Sequence, residues 1–376
     1  MGNSIRPVII FFSLFMALCM LQTDFMSLGT IIAGVTSVLT IVSAYSCKEV
    51  ILGFRNNYSK ILLYFFLLTN VVSLLWGSWP MYYLRYAAQI IVCITLASLK
   101  PINKNEYIYL ERIFLISSIV YAILVIYSCR MLGVSRSIHG DVILFGTAFD
   151  PNFIGLIFVA ASAIALKNVL ENVWRYVSIF ALISFAFAIL YTASRGSFLS
   201  LGLVILLIFI YSTREFKYSF GTKIIGLGFL AVAVYFFTDS ISSSFEDQIA
   251  RMTSLNENDS DNGRFELWNE AFRVWKEYPI FGSGLGGMYR INHYATHNTY
   301  LELLSECGIV GFFIFTSFLI RILKILFRYE KAYFCMMAGL LFQIMFLDAF
   351  DNRCVWALLC WMVLVVNKQK TISYEK

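Results

Sequence analysis

Charged residues are scarce in this sequence. Only 14% of its 376 residues are Asp, Glu, Lys or Arg, whereas 59% are hydrophobic. A water-soluble protein would carry about 25% charged residues, so the composition argues against an ordinary soluble enzyme. Apolar segments of helix length recur along the whole chain, and the sequence therefore predicts an integral membrane protein.

Paired cysteines, internal repeats and soluble end domains are also missing. The eight cysteines are scattered in or beside apolar segments and none forms a CxxC pair, which argues against a disulfide framework or a zinc site. No repeat and no soluble domain at either end is recognisable. The net charge of +6 is more typical here of basic cytoplasmic loops than of nucleic-acid binding. Membrane lipids are expected partners, and nucleic acid is not.

The hydrophobic segments predict an all-α polytopic fold with about twelve transmembrane helices. We expect residues 1–376 to form a single integral membrane domain. The expected spans are 7–22, 27–45, 59–76, 82–98, 112–130, 152–167, 174–191, 197–211, 222–238, 299–320, 331–347 and 353–366.

Twelve spans would put both chain termini on the same side of the membrane. If that side is the cytoplasm, most Lys and Arg residues fall in inner segments, as the positive-inside rule requires. Residues 239–298, between spans 9 and 10, are then a large periplasmic loop. Within this loop a short amphipathic helix is predicted, with Phe265, Trp268, Phe272 and Trp275 on one face, lying on the membrane or on the bundle.

A second group of charges lies at the predicted outer face, where the positive-inside rule does not place them. Arg85, Arg195, His297 and Arg353 each lie near the start of a span whose N-terminus faces outward. Helix N-termini and guanidinium groups both bind phosphate. These residues are therefore candidate ligands for a phosphate group at the outer leaflet.

Structural interpretations of the same residues remain open. Arg195 and Arg85 could extend towards lipid headgroups, and Arg353 could pair with Asp348 or Asp351. A single histidine such as His297 could be a hydrogen-bonded packing residue. Histidine is also the side chain best suited to accept a proton near neutral pH.

Three stretches together suggest a family. "TASRGS", "GRFELWNEAFRVWKEYPIFGSGLGGM" and "HNTYLELLSECGIVG" resemble the O-antigen polymerase and O-antigen ligase superfamily, which comprises bacterial enzymes of the lipid-linked glycosyltransferase (GT-C) class. The motif resemblance covers residues 190–311, and "FDPNF" at 149–153 looks like a further family element.

The resemblance implies a reaction at the periplasmic face of the bacterial inner membrane. Such enzymes transfer a glycan from undecaprenyl diphosphate to a hydroxyl of a saccharide acceptor, with inversion and without a metal or other cofactor. By motif position, Arg195, Arg264 and His297 are the predicted catalytic residues. A chain-length regulator and a flippase are further expected partners.

The chemistry of this reaction fits the outer charges. Arginines could stabilise the departing diphosphate, and His297 could take the acceptor proton. Glu302 or Glu306 could instead orient His297 or bind sugar hydroxyls. The predicted substrate contacts are Arg85, Asn298, Tyr300, Glu302 and Arg353.

Three functions share these features. A polymerase and a ligase use the same donor and differ in the acceptor, which is another lipid-linked glycan or lipid A-core. The short chain and the single large loop favour an O-antigen or surface polysaccharide polymerase. A glycolipid transporter or flippase is the third alternative, although the unusual charges gather at the outer rim rather than at the bilayer midplane.

Overall fold

The described residues of the chain are mainly helical. The structure is a computed structural model that describes residues 5–19, 28–51, 57–76, 80–131, 142–144, 147–149, 151–192, 194–215, 261–292, 296–350 and 352–374. Within these ranges the non-helical element is an antiparallel hairpin of β1, Val142–Leu144, and β2, Thr147–Phe149. The predicted helical membrane fold is confirmed, with this small hairpin as an addition.

The helices are numbered in chain order. The first eight are α1 Pro7–Leu18, α2 Leu28–Ser46, α3 Tyr58–Ser73, α4 Pro80–Ala97, α5 Lys104–Met131, α6 Pro151–Leu170, α7 Arg175–Thr192 and α8 Arg195–Glu215. The others are α9 Asp261–Glu277, α10 Gly287–Asn292, α11 Thr299–Tyr329, α12 Lys331–Gln343 and α13 Arg353–Tyr374, with a 3₁₀ turn at Ile344–Phe346.

Four of the described helices are long and apolar enough to cross a membrane: Lys104–Cys129 of α5, α6, α7 and α11. Shorter apolar helices coincide with most of the other predicted spans. The chain is a multi-pass membrane protein. The number of twelve spans stays a prediction, because the ninth predicted span, 222–238, lies outside the described residues.

The chain divides into two compact units. The first comprises residues 1–114, 256–330 and 341–376, and the second comprises residues 115–255 and 331–340. In the first unit α3 packs against α11, and α4 packs against α13. In the second unit α6 packs against α7 and α8. The prediction of a single membrane domain stays a prediction.

An ion-pair network in the first unit joins the start of α1 to two other segments. The guanidinium of Arg6 lies 2.9 Å from Glu49, just after α2, and 2.6 Å from Glu106, in the first turn of α5. The ends of these three helices therefore lie together.

An aromatic core in the first unit supports the segment before α13. Phe66, Phe315, Phe350 and Trp356 form it, with neighbouring ring centroids 5.0 to 6.1 Å apart. The Trp356 indole N–H also donates to the carbonyl of Phe350 at 2.7 Å. Contacts of the Phe350 ring and of the Phe350 carbonyl therefore both hold this residue in place.

Helix α11 is broken at Gly308. This glycine has φ 64° and ψ −173°, a conformation that is essentially restricted to glycine. A helical hydrogen-bond ladder cannot continue through it, so carbonyls before the break and N–H groups after it need other partners.

Residues 278–286, which we call the wedge loop, supply those partners. The carbonyls of Ser305 and Glu306 accept from the N–H groups of residues 283 and 284 at 2.9 and 3.0 Å. The N–H groups of Ile309 and Val310 donate to the carbonyls of residues 279 and 280 at 2.9 and 3.1 Å. The loop thus replaces one turn of hydrogen bonding in α11.

Candidate functional site

A histidine–carboxylate pair lies just before α11. The Nδ1 atom of His297 is 2.9 Å from Oδ2 of Asp348, and the two side chains are 53% and 19% exposed. A carboxylate beside Nδ1 favours the tautomer with the proton on that nitrogen, which leaves Nε2 as the proton acceptor. The half-exposed imidazole can therefore act as a base.

The backbone of His297 is also unusual. Its φ is 49°, in the left-handed region that residues other than glycine adopt infrequently. Such conformations persist where surrounding contacts determine them, and they cluster at functional sites.

Two threonines fix Asp348 against the chain around His297. The Thr296 hydroxyl donates to Oδ1 of Asp348 at 2.7 Å. The Thr299 hydroxyl donates to the carbonyl of Leu347 at 2.6 Å and accepts from the N–H of Ala349 at 2.9 Å. Both carboxylate oxygens and both flanking peptides of Asp348 are thus engaged.

Asn298 and Tyr300 hold the start of α11. The Asn298 side-chain oxygen accepts from the N–H groups of Tyr300 and Leu301 at 3.0 and 3.2 Å, which makes it the N-cap. The Tyr300 hydroxyl donates to the carbonyl of Leu341 at 2.8 Å. These contacts give both residues structural roles, and their predicted contact with substrate stays a prediction.

The two glutamates of α11 differ in position. Glu306 is buried, and its carboxylate accepts from the N–H groups of Gly286 and Met288 at 2.9 and 3.2 Å. Glu306 therefore anchors the wedge loop and the start of α10. The carboxylate that contacts His297 is that of Asp348, not that of Glu306. Glu302 is half-buried in the first turn of α11, and its substrate-binding role stays a prediction.

Arg264 lies in the first turn of α9 and is half-buried. The amphipathic helix predicted here is present as α9, Asp261–Glu277. Its buried residues are Ala271 and Val274, which pack with Met288 of α10 and Leu301 of α11. Helices α9, α10 and the start of α11 therefore form one packed group that contains both Arg264 and His297.

Arg195 belongs to the second unit. It is the exposed first residue of α8. The Ser194 hydroxyl donates to the side-chain oxygen of Asn152 at 2.7 Å and accepts from the N–H of Ser197 at 3.3 Å. The "TASRGS" turn is therefore tied to the "FDPNF" segment at the start of α6.

Two further predicted substrate contacts and one acid remain to be placed. Arg85 lies in α4, and Arg353 is the first residue of α13. Their substrate-binding roles stay predictions. Asp351, a suggested partner of Arg353, lies outside the described residues.

Residues 179–316 match a family model described as O-antigen ligase. The matched segment includes Arg195, Arg264, His297 and the Gly308 break. Over these residues the chain is similar to the O-antigen ligase family. The resemblance predicted over residues 190–311 is confirmed at this level.

The chain is also similar to a protein of Haemophilus influenzae. That protein, described as uncharacterized, is 28% identical over 159 residues, which cover 36% of this chain and 40% of the relative. The chain therefore spans less than half the length of the curated relative it matches.

Proposed function

We propose that the chain is an inner-membrane polymerase of O-antigen or of a related surface polysaccharide. It transfers a glycan from undecaprenyl diphosphate to a hydroxyl of a lipid-linked saccharide at the periplasmic face. The observation that carries this proposal is the His297–Asp348 pair, because a half-exposed imidazole oriented by a carboxylate can accept a hydroxyl proton.

The proposed step is a single displacement. The acceptor hydroxyl oxygen bonds to the anomeric carbon of the donor while the bond from that carbon to the diphosphate breaks. Nε2 of His297 takes the hydroxyl proton, and the Asp348 carboxylate stabilises the imidazolium that forms. Attack opposite the leaving group inverts the anomeric configuration.

Arg195 and Arg264 are proposed to bind the diphosphate. Each guanidinium can donate two parallel N–H bonds to phosphate oxygens, and its charge balances the negative charge that develops on the leaving group. Both arginines lie in the first turn of a helix, where the positive end of the helix dipole adds to the attraction for an anion. The proposed step uses no metal ion.

A ligase is the second candidate, and the description of the matching family favours it. It would use the same donor and the same base, with lipid A-core as the acceptor. A transporter is the third, because broken membrane helices such as α11 also occur in transporters.

Reconstitution in liposomes tests these alternatives. With undecaprenyl-diphosphate-linked repeat units as donor, a polymerase lengthens the lipid-linked glycan without any other acceptor. A ligase transfers the glycan when lipid A-core is added, and a flippase moves it unchanged. Gel separation of the radiolabelled products distinguishes the three results.

His297→Ala tests the proposed base in the same assay. We expect transfer to slow by about 10²–10⁴-fold, the usual loss for a general base, while donor binding survives. His293→Ala is the matched control, because His293 has no position in the family motif and its variant should remain active. Normal polymer from a well-inserted His297→Ala variant would refute the proposed mechanism.

A further inference from the structure

The wedge loop meets α11 near the start of the part of this helix that is predicted to cross the membrane. Basic residues begin at Arg321 and end at Arg328 in α11. A span of about 20 residues that stops between them starts at about residue 301 to 308. At about 1.5 Å per residue, Gly308 then lies between the edge of the hydrocarbon and about 10 Å inside it.

Polar backbone groups of the wedge loop are paired within the protein, as a position inside the hydrocarbon requires. Non-helical backbone is tolerated within the hydrocarbon only where its polar groups are paired within the protein. Four backbone hydrogen bonds join residues 279–284 to residues 305–310, and the Glu306 carboxylate accepts two more N–H groups. The loop is thus hydrogen-bonded to α11 on both sides of the break.

The tip of the loop is apolar and exposed. Ile280 and Phe281 are 56% and 40% exposed. Val310 of α11 donates its N–H to the carbonyl of Ile280, which places Ile280 level with this part of the membrane helix. Phe313, one turn further along α11, is 61% exposed.

The same exposed surface extends to the end of α3. The rings of Trp76 and Phe281 are 6.2 Å apart, and the Trp76 indole N–H donates to the carbonyl of Gly282 at 2.9 Å. Leu75, next to this tryptophan, is 83% exposed, and Leu68 continues the exposed side of α3. The loop tip is therefore continuous with apolar faces of two membrane helices.

We propose that the wedge loop is a shallow re-entrant membrane element whose residues Ile280 and Phe281 lie among the lipid acyl chains of the outer leaflet. The occupant of this surface is lipid, because the surface is continuous with the sides of α3 and α11 that face the bilayer. The segment that the sequence assigned to a periplasmic loop thus returns to the membrane beside the break in α11. This inference does not depend on the proposed reaction.

Site-directed spin labelling tests the inference. Cys47 is exposed and the other seven cysteines are buried, so a Cys47→Ser background limits labelling to an introduced cysteine. Nitroxide is placed through Ile280→Cys or Phe281→Cys in the full chain, in vesicles of phosphatidylethanolamine and phosphatidylglycerol. The measured quantity is the ratio of spin relaxation by oxygen, which partitions into lipid, to relaxation by a water-soluble nickel chelate.

Two further variants calibrate this ratio. Arg273→Cys reports an aqueous position, because Arg273 is exposed on α9 between Glu270 and Glu277. Phe313→Cys reports the lipid face of α11. We expect the ratio at positions 280 and 281 to exceed that at 273 several-fold and to lie at or below that at 313. Ratios at both loop positions equal to that at 273 would overturn the proposal.

Discussion

The carboxylate of Asp348 determines which nitrogen of His297 is available to a substrate. In Asp348→Asn the amide can donate to Nδ1, which favours the tautomer whose Nε2 carries the proton. We expect kcat to fall by about 10²–10⁴-fold with little change in KM for the donor. Steady-state transfer by the purified variant measures both constants.

A matched carboxylate substitution controls this prediction. Glu266→Gln removes an exposed carboxylate of α9 and should leave kcat unchanged. An Asp348→Asn variant with the wild-type kcat would show that His297 needs no orienting group.

Lysine should not be able to replace Arg195 or Arg264, the proposed ligands of the diphosphate. Arg195→Lys and Arg264→Lys keep the charge but lose the forked pair of N–H donors, so each should lose most of the transfer activity. Arg273→Lys is the control on the same helix as Arg264, because Arg273 pairs at the surface with Glu270 and Glu277. Equal activity of all three lysine variants would contradict the proposed role.

The sequence predicts His297 as a site residue but gives no sign of its pairing with Asp348. His297 is conspicuous because the sequence has only three histidines and this one lies at the start of an apolar run. Asn298, directly before that run, carries the signal of a helix N-cap in addition to being a predicted substrate contact. The pairing of Asp348 with His297 has no local signal, because the two residues lie about 50 positions apart in different connections between helices and meet only in the fold.

At the scale of the helix, the break in α11 requires glycine at position 308. A Cβ atom at Gly308 would collide with the backbone of Gly282 and Ile280, and its positive φ is unfavourable for alanine. Gly308→Ala should therefore lower the thermal unfolding temperature of the detergent-solubilised protein.

Gly202→Ala in α8 is the control for this change. No atom lies within 4 Å of the Cβ that it would add, and alanine is favoured over glycine within a helix. This variant should be as stable as the wild type or slightly more stable. A Gly308→Ala variant of equal stability would mean that α11 can straighten at residue 308.

Helix positions were more predictable than the break. The apolar runs locate α6, α7 and α11 to within a few residues of their starts, and Pro151 marks the first residue of α6. Gly308 lies within an apolar run, where glycine is common in membrane helices. Its partners in the wedge loop precede it in sequence, so no local pattern reveals the interruption.

The arrangement of the whole chain in the membrane is open to direct test. We expect both termini in the cytoplasm and residues 239–298 on the periplasmic side, because most Lys and Arg residues then lie inside. The ion pairs of Arg6 with Glu49 and Glu106 bring together three helix ends that this topology assigns to one side. A green fluorescent protein fused to the C-terminus should fluoresce, and alkaline phosphatase at the same point should be inactive.

The large loop has its own test in the same orientation. Asn258→Cys in a Cys47→Ser background should react with a membrane-impermeant maleimide added from the periplasmic side. Labelling only after the inner membrane is permeabilised would contradict the predicted orientation of this loop.

The break in α11 also sets an order for biogenesis. Residues 279–284 leave the ribosome before α11 does, yet the backbone of α11 around Gly308 is fully hydrogen-bonded only when that earlier segment packs against it. Unpaired peptide groups are costly in hydrocarbon. With Gly308 at the proposed depth, we expect helix α11 to leave the translocon together with the preceding loop, as a hairpin, rather than as an isolated span.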